Sequence, residues 1–142
     1  MKIYYNKEEF NVPDAIIVGA AKSGTSALYK FLSKYDDVSA SRIKEPGFFS
    51  HMNQEFKYIH PITNEDLSCY VIKDLDTYSK LFKKVSDNQI LLEASTSYLY
   101  NSEITISNIK EIYGEKYNDL KIIILLRNPI ERAWSHYNMH LQ

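Results

Sequence analysis

The sequence contains little cysteine and no long apolar run. Its single cysteine, Cys69, cannot form a disulfide within the chain, which excludes the class of small domains stabilised by several disulfides. The longest aliphatic run, residues 122–126, is far too short to cross a bilayer, and the first ten residues contain no apolar leader segment. We therefore expect a soluble, unprocessed, cytoplasmic chain without a transmembrane segment.

An excess of charge of either sign is also missing. The 142 residues include 17 lysines and arginines and 18 aspartates and glutamates, for a net charge of −1. This balance excludes a general attraction to nucleic acid or to anionic lipid, so any anion site must be local. With 44% hydrophobic residues and no repeat or linker, the length fits a single globular domain.

Glycine is scarce too, yet two of the four glycines flank one short loop. Residues 14–32 read DAIIVGAAKSGTSALYKFL, where Gly19 and Gly24 separate an apolar run from a helical pattern. The apolar run predicts a strand covered on both faces, as in a parallel sheet flanked by helices. The following three- and four-residue spacing predicts a helix whose inner face holds Leu28, Phe31, Leu32 and Tyr35.

The loop between this strand and this helix has the composition of an anion site. Its glycines let backbone N–H groups converge, Thr25 and Ser26 add hydroxyl donors, and the helix N-terminus adds partial positive charge. The spacing of a Walker A loop is met at both glycines, but Thr25 stands where that motif has lysine, and Lys22 lies inside the loop. The pattern favours a phosphate-like ligand and argues against an ordinary ATP or GTP site.

The rest of the chain alternates strands and helices. Further strands are predicted over residues 37–41, 89–93 and 120–126, and helices over 76–85, 102–113 and from Pro129 onward. Residues 50–64 are predicted to form a loop, either without regular structure or with one short helix. This alternation predicts an α/β fold, with a parallel sheet flanked by helices and a P-loop-like nucleotide-binding architecture. Ligands of such sheets bind outside the carboxyl ends of the strands, where the glycine loop lies.

Three segments resemble one enzyme family. The loop GAAKSGTSAL resembles the 5′-phosphosulfate-binding loop of sulfotransferases that use 3′-phosphoadenosine 5′-phosphosulfate (PAPS). Residues 44–49, KEPGFF, resemble the segment K-E-P-x-F-F, and residues 127–137 resemble the 3′-phosphate-binding segment R-N-P-x-x-R-A-x-S-x-Y. The likeness is to heparan-sulfate-type and related bacterial enzymes. Because the last helical pattern has no stop signal, we expect residues 1–142 to be the N-terminal portion of a single sulfotransferase domain.

This resemblance implies a role for each segment. Lys22 would stabilise charge developing on the bridging oxygen of the donor, and Glu45 would be the general base that deprotonates the acceptor hydroxyl. Lys22 and Glu45 are therefore the predicted catalytic residues, and no metal is expected. The residues implied to bind PAPS are Lys22, Ser23, Gly24, Thr25 and Ser26 at the 5′-phosphosulfate, and Arg127 and Ser135 at the 3′-phosphate.

The sequence departs from the family pattern in several places. Ala94 replaces the lysine of the family segment E-K-x-P-x-Y, in which Glu93 is expected to brace the neighbouring loop. Gly47 stands where many heparan-type enzymes have histidine, and Ser50 where they have an acidic residue. These departures weigh against assigning a glycosaminoglycan acceptor from the sequence. The predicted acceptor is a hydroxyl, with a carbohydrate favoured over a lipid or a small alcohol, and nucleic acid is not a predicted partner.

Two other functions stay open at this point. A nucleotide kinase with an altered P-loop fits the glycines, although the displaced lysine and the lack of an evident Walker B acid weigh against it. A nucleotide-binding module without turnover is the other alternative, and Ala94 favours it. His136 and His140 are spaced like a pair of metal ligands, but no HExxH motif or nearby acidic residue accompanies them, so no metal site is predicted.

Overall fold

A computed structural model of the protein describes residues 1–52, 54, 59, 64, 71–83, 86 and 88–141. The strands are β1 (Lys2–Tyr5), β2 (Glu8–Asn11), β3 (Ala15–Gly19), β4 (Val38–Ala40), β5 (Ile90–Ala94) and β6 (Lys121–Ile124). The helices are α1 (Thr25–Leu32), α2 (Phe48–His51), α3 (Leu75–Ser79), α4 (Ser97–Tyr100), α5 (Ser102–Tyr113) and α6 (Pro129–His140). A 3-10 helix over Gly114–Asp119 connects α5 to β6.

Four of the strands form one parallel sheet in the order β4-β5-β3-β6. The central strand β3 pairs with β5 on one side and with β6 on the other, so Ile16 lies opposite both Glu93 and Ile122. The predicted parallel α/β sheet flanked by helices is thereby confirmed. Because all four strands run in the same direction, the loops that follow them meet at one edge of the sheet.

The alternating side chains of β3 build a core on each face of the sheet. Ile16 and Val18 join an aromatic cluster beneath α2, α3 and α5, whereas Ala15 and Ile17 pack toward α1. The aromatic cluster includes the fully buried side chains Phe48, Phe49, Tyr78 and Tyr98. Burying a side chain of this size stabilises the fold by roughly 1.5–3 kcal/mol, so this cluster anchors the segments that carry the site.

The first eleven residues form an antiparallel hairpin that the sequence patterns did not predict. Ile3 pairs with Phe10, and the turn places Asn6 and Lys7 at positive φ. Alternation is weak here, since only Ile3 of β1 is buried. The hairpin is joined to the sheet by the terminal ammonium of Met1, which lies 2.9 Å from a carboxylate oxygen of Asp14.

The inner face of α1 agrees with the prediction only in part, since Leu28 and Leu32 pack against the core but Phe31 and Tyr35 do not. Phe31 and Tyr35 are 54% and 50% exposed and form an edge-to-face pair with ring centroids 5.5 Å apart. The buried residues are Thr25 and Tyr29, and the Tyr29 hydroxyl donates to the Ser41 carbonyl at 2.6 Å. The aromatic tip thus reaches a polar partner across the core, which the apolar spacing alone could not indicate.

Two further elements are shorter than the sequence predicts. The helix predicted over 76–85 is confined to α3, which begins at the Asp74 cap, while Leu81 and Phe82 are buried beyond its end. The strand predicted over 120–126 is confined to β6, an edge strand whose Ile122 is 48% exposed. Most of the loop predicted over 50–64 lies outside the described residues. Within the described part of the chain, no helix is long and apolar enough to cross a membrane.

Candidate active site

The carboxyl edge of the sheet brings together the segments that the sequence singled out. The glycine loop follows β3, the KEPGFF segment follows β4, residues 95–96 follow β5, and Arg127 follows β6. These four connections surround three adjoining cavities, which we name the arginine cavity, the central cavity and the outer cavity. The topology of the sheet therefore places residues more than a hundred positions apart in the chain at the same edge.

The glycine loop has the backbone shape of an anion cradle. Gly24 is the N-cap of α1 with φ +93°, and the first N–H groups of α1 have no acceptor within the helix. Gly19 cannot be replaced without movement, because an added Cβ would lie 2.9 Å from Leu99 Cβ. The hydroxyl oxygen of Ser23 is buried and has no hydrogen-bond partner among the described residues. This donor set suits an oxyanion, which would supply the missing acceptors.

The central cavity, of about 470 Å³, lies over this loop. It is lined by Lys22, Thr25, Ser26, Glu45, Thr96 and Ser135, among others. Four segments contribute these side chains, so a cation, several hydroxyls and one carboxylate face the same space. A ligand placed here would contact the loop and Glu45 at the same time.

The arginine cavity, of about 410 Å³, shares Lys22 and Ser135 with the central cavity. Its distinguishing residue is Arg127, whose Nε donates to a carboxylate oxygen of Glu131 at 3.1 Å. Asn128 caps α6 by accepting from the N–H groups of Ile130 and Glu131, so the turn after Arg127 is fixed. The guanidinium and the Ser135 hydroxyl can together bind a second anion, one cavity away from the glycine loop.

The outer cavity, of about 750 Å³, shares Glu45, Thr96 and Ala21 with the central cavity. It is also lined by His51, Leu99, Tyr100, Asn101, Arg132 and His136. The lining thus includes hydroxyl, amide and cationic groups together with Tyr100, which is 90% exposed. Such a lining can bind a polar molecule through hydrogen bonds and contact with the ring.

Glu45 lies at the boundary between the central and outer cavities. One carboxylate oxygen is 2.5 Å from Lys44 Nζ, and the other accepts from the Thr96 hydroxyl at 2.9 Å. Both Glu45 and Lys22 adopt a left-handed backbone conformation, with φ of +59° and +65°. Non-glycine residues rarely adopt this conformation, and where they do it is often at functional sites.

A row of hydrogen bonds joins the Glu45 segment to the residues after β5. The Glu45 N–H donates to the Ala94 carbonyl at 2.9 Å, and the Gly47 N–H donates to the Ser95 hydroxyl at 3.1 Å. Further along, the hydroxyls of Ser50 and Ser97 lie 2.9 Å apart, and the Phe49 N–H donates to the Tyr98 hydroxyl at 3.3 Å. The position of Glu45 is therefore fixed by the loop that follows β5.

Glu93 lies beneath this row and is fully buried. Its Oε2 accepts from the Tyr78 hydroxyl at 2.6 Å and from the Tyr98 hydroxyl at 3.1 Å, while its Oε1 has no partner among the described residues. Burial raises the pKa of Glu93 to about 7, although the hydrogen bonds it accepts act in the opposite direction. Burial also raises the pKa of both tyrosines well above the ordinary value, with the nearby Glu93 carboxyl as the next cause.

All the site residues predicted from the sequence except Ser23 line the arginine cavity or the central cavity. Lys22, Gly24, Thr25, Ser26, Glu45 and Ser135 line the central cavity, Arg127 lines the arginine cavity, and Ser23 lies inside the loop. Sequence reasoning missed Thr96 and Glu131, and it assigned no role to Tyr78 or Tyr98. Within the described ranges, no three histidine, cysteine, aspartate or glutamate residues are grouped as metal ligands.

Comparison with known proteins identifies the family. Residues 12–142 match the model of the sulfotransferase domain, so the chain belongs to the sulfotransferase domain family. Over 125 residues it is 34% identical to heparan sulfate glucosamine 3-O-sulfotransferase 6 of Mus musculus, a match that covers 88% of this chain and 30% of the relative. It is 32% identical over 132 residues to heparan sulfate glucosamine 3-O-sulfotransferase 3B1 of Homo sapiens, covering 92% of this chain and 27% of the relative.

A solved structure agrees with this assignment. The crystal structure of a sulfotransferase from Alicyclobacillus acidocaldarius superimposes with a TM-score of 0.74 at 38% sequence identity. The match covers 92% of this chain and 50% of that one. The chain thus spans half of the solved protein and less than a third of the two curated relatives. These findings give no support to the nucleotide-kinase alternative.

Proposed function

We propose that this chain carries the donor-binding and base-bearing part of a sulfotransferase that transfers a sulfuryl group from PAPS to an acceptor hydroxyl. The observation that carries this proposal is the order in which the three cavities adjoin, with the central cavity sharing residues with each of the other two. Arg127 lies at one end, the glycine loop with Lys22 in the middle, and Glu45 at the boundary with the outer cavity. This order matches the 3′-phosphate, the 5′-phosphosulfate, the base and the acceptor of such a reaction.

The donor fits the residues that are present. PAPS carries two anionic groups, and the arginine and central cavities each offer a cation with hydroxyl donors. Arg127 and Ser135 would bind the 3′-phosphate, while Lys22, Thr25, Ser26 and the first N–H groups of α1 would hold the 5′-phosphosulfate. The unpartnered Ser23 hydroxyl supports an oxyanion in this loop.

The chain would divide the work of transfer between two side chains. When bound, PAPS supplies the sulfuryl group, whose bond to the bridging oxygen breaks as a bond to the acceptor oxygen forms. Glu45 accepts the proton of the acceptor hydroxyl, and Lys22 stabilises the negative charge that develops on the bridging oxygen. The leaving product is adenosine 3′,5′-bisphosphate, which Arg127 and Lys22 would hold at its two ends.

The acceptor that we propose is a carbohydrate hydroxyl, bound in the outer cavity. The names of the heparan sulfate sulfotransferases that the chain resembles support this class. The lining supports it as well, because Asn101 and Ser97 offer hydrogen bonds beside the exposed ring of Tyr100. A lipid or another small alcohol is the competing acceptor class. A cytoplasmic location is likewise a proposal, which rests on the single cysteine of the sequence.

Transfer of radiolabelled sulfate tests this function directly. The full chain is incubated with labelled PAPS and a panel of acceptors: heparan sulfate oligosaccharides, neutral oligosaccharides, and lipid and aryl alcohols. We expect label on a carbohydrate, with Lys22→Ala lowering transfer more than donor binding. The matched control is Lys30→Ala, because Lys30 is exposed on α1 and lines none of the three cavities. Donor binding without transfer to any acceptor would instead favour the module that lacks turnover.

A further inference from the structure

The hydroxyl of Thr96 is not used to cap the helix that it precedes. Thr96 occupies the N-cap position of α4, where threonine ordinarily accepts a hydrogen bond from the first turn, but its side chain makes no such bond. Its Oγ1 donates instead to Oε2 of Glu45 at 2.9 Å, and its N–H lies 3.4 Å from the same oxygen. The Thr96 hydroxyl therefore donates to the Glu45 carboxylate and does not cap α4.

Each carboxylate oxygen of Glu45 has one side-chain donor. Lys44 Nζ contacts Oε1 at 2.5 Å, and Thr96 contacts Oε2. The Lys44 pair is local, since the two residues are adjacent, and the Lys44 side chain is 26% exposed. Thr96 instead lies in the loop after β5, whereas Glu45 lies in the loop after β4. Its hydrogen bond therefore fixes the carboxylate relative to the sheet. A carboxylate with a hydrogen bond to each of its two oxygens keeps one orientation toward the central and outer cavities.

The backbone beneath Thr96 is rigid enough to make this contact effective. Ala94 and Ser95 are fully buried and accept hydrogen bonds from the Glu45 and Gly47 N–H groups. Tyr98, two residues later, is anchored by its hydrogen bond to buried Glu93. The turn between β5 and α4 thus has little freedom to move. Thr96 also lines both the central and the outer cavity, as Glu45 does.

We propose that Thr96 is a positioning residue for proton abstraction, whose hydroxyl holds Oε2 of Glu45 at the boundary between the central and outer cavities. The inference rests on the function proposed above, in which the acceptor proton passes to Glu45. This chain has Thr96 where the family segment E-K-x-P-x-Y has a proline, which has no hydroxyl and could not make this contact. Ala94, where that segment has lysine, lies two residues before Thr96 in the chain.

The test compares Thr96→Val with Thr96→Ser, using the acceptor that gives the highest turnover in the panel. Valine keeps the shape of threonine but loses the hydrogen bond, so kcat should fall about 10- to 100-fold, the usual effect of a hydrogen bond to a charged group. The affinity for adenosine 3′,5′-bisphosphate should be unchanged, because Thr96 acts on the base and not on the donor. Thr96→Ser retains the hydroxyl and should restore most of the turnover. Thr77→Val, at an exposed position on α3, is the matched control.

A double-mutant cycle separates positioning from a structural role. In a Glu45→Gln background, Thr96→Val should cause little further loss of kcat, since the base on which Thr96 acts is already absent. An equal loss in both backgrounds, or unchanged kcat in the single variant, would overturn the inference while leaving the proposed function intact. A wild-type protein that neither binds the bisphosphate nor transfers sulfate would overturn both.

Discussion

Arg127 and Glu131 are four residues apart, and the Arg127 Nε donates to Glu131 Oε2 at 3.1 Å. The two side chains are 42% and 63% exposed, so this pair contributes little to the free energy of unfolding. Its effect is on orientation, because the occupied Nε leaves the terminal nitrogens of the guanidinium for another anion. One of them, Nη1, lies 3.5 Å from the Lys22 carbonyl oxygen, at the boundary with the central cavity.

Replacing Arg127 should therefore separate the two anion sites of the donor. Arg127→Ala should weaken binding of adenosine 3′,5′-bisphosphate by about 1.5–3 kcal/mol, the usual contribution of a hydrogen-bonded charge. Binding of adenosine 5′-phosphate should change little, because this ligand has no 3′-phosphate. Isothermal titration of both ligands measures the difference. Arg42→Ala is the control, since Arg42 is exposed and lines none of the three cavities. Equal losses for both ligands would assign Arg127 a structural role.

Replacing Glu45 should stop turnover while sparing the donor. Glu45→Gln retains the size of the side chain and can still accept from Thr96, but it cannot act as a base at neutral pH. Turnover should fall by roughly two to four orders of magnitude, with donor affinity retained. Steady-state transfer assays check this result against Glu8→Gln, an exposed position on β2. Near-normal turnover in Glu45→Gln would remove Glu45 from the mechanism.

Glu93 should make the stability of the fold depend on pH. Its pKa is about 7 in the folded protein against 4.5 in the unfolded chain, so folding is favoured when the carboxyl is protonated. This contribution is fully present below pH 4.5 and is lost as the pH rises through about 7. The loss is on the order of 3 kcal/mol, at about 1.4 kcal/mol for each pH unit between the two values.

Glu93→Gln removes this titration while keeping a carbonyl oxygen for the two tyrosine hydroxyls. Urea unfolding at pH 5 and at pH 8 should show the wild type losing more stability than the variant over this interval. Any fixed cost of burying the amide cancels, since it is the same at both pH values. Glu103→Gln, at an exposed position in the first turn of α5, should retain the wild-type dependence. Identical pH dependence in Glu93→Gln and wild type would contradict the account of Glu93.

Gly19 should be intolerant of a side chain. In Gly19→Ala the new Cβ would lie 2.9 Å from Leu99 Cβ and 3.2 Å from Leu99 Cδ2, at a φ of +147°. We expect a loss of roughly 1–3 kcal/mol from overpacking, in addition to backbone strain. Gly114→Ala is the matched control, because its φ is also positive but nothing lies within 4 Å of the added Cβ. Chemical denaturation of both variants measures the difference, and equal losses would show that contact with Leu99 is unimportant.

The sheet and its loops were predictable because their signals are local. The apolar run before Gly19, the glycine-rich loop and the proline after Asn128 each indicate a strand end or a helix start without knowledge of distant residues. Parallel order then brings these ends to one edge. For the inner face of α1, the prediction was right for Leu28 and Leu32 but wrong for Phe31 and Tyr35, and it missed Tyr29, for the opposite reason. Tyr29 points into the core because its hydroxyl donates to the carbonyl of Ser41, a residue in the loop after β4.

The contacts that fix Glu45 could not be predicted from spacing. Thr96 lies 51 positions from Glu45 in the chain, and a hydroxyl in a loop gives no indication of its partner. Glu93 offered a better signal, since an acidic residue at the end of an apolar strand must find a partner or bind a proton. Its partners Tyr78 and Tyr98 became evident only when α3 and α4 were placed beside β5. The roles of the predicted site residues themselves stay predictions.

Nucleotide selectivity tests the central claim most directly. Isothermal titration of the full chain, without magnesium, compares adenosine 3′,5′-bisphosphate with ATP. The arginine and central cavities each offer a cation with hydroxyl donors, and Thr25 stands where a Walker A loop has its lysine. We therefore predict that the bisphosphate binds and that ATP does not. Binding of ATP that depends on magnesium, with no binding of the bisphosphate, would contradict the account.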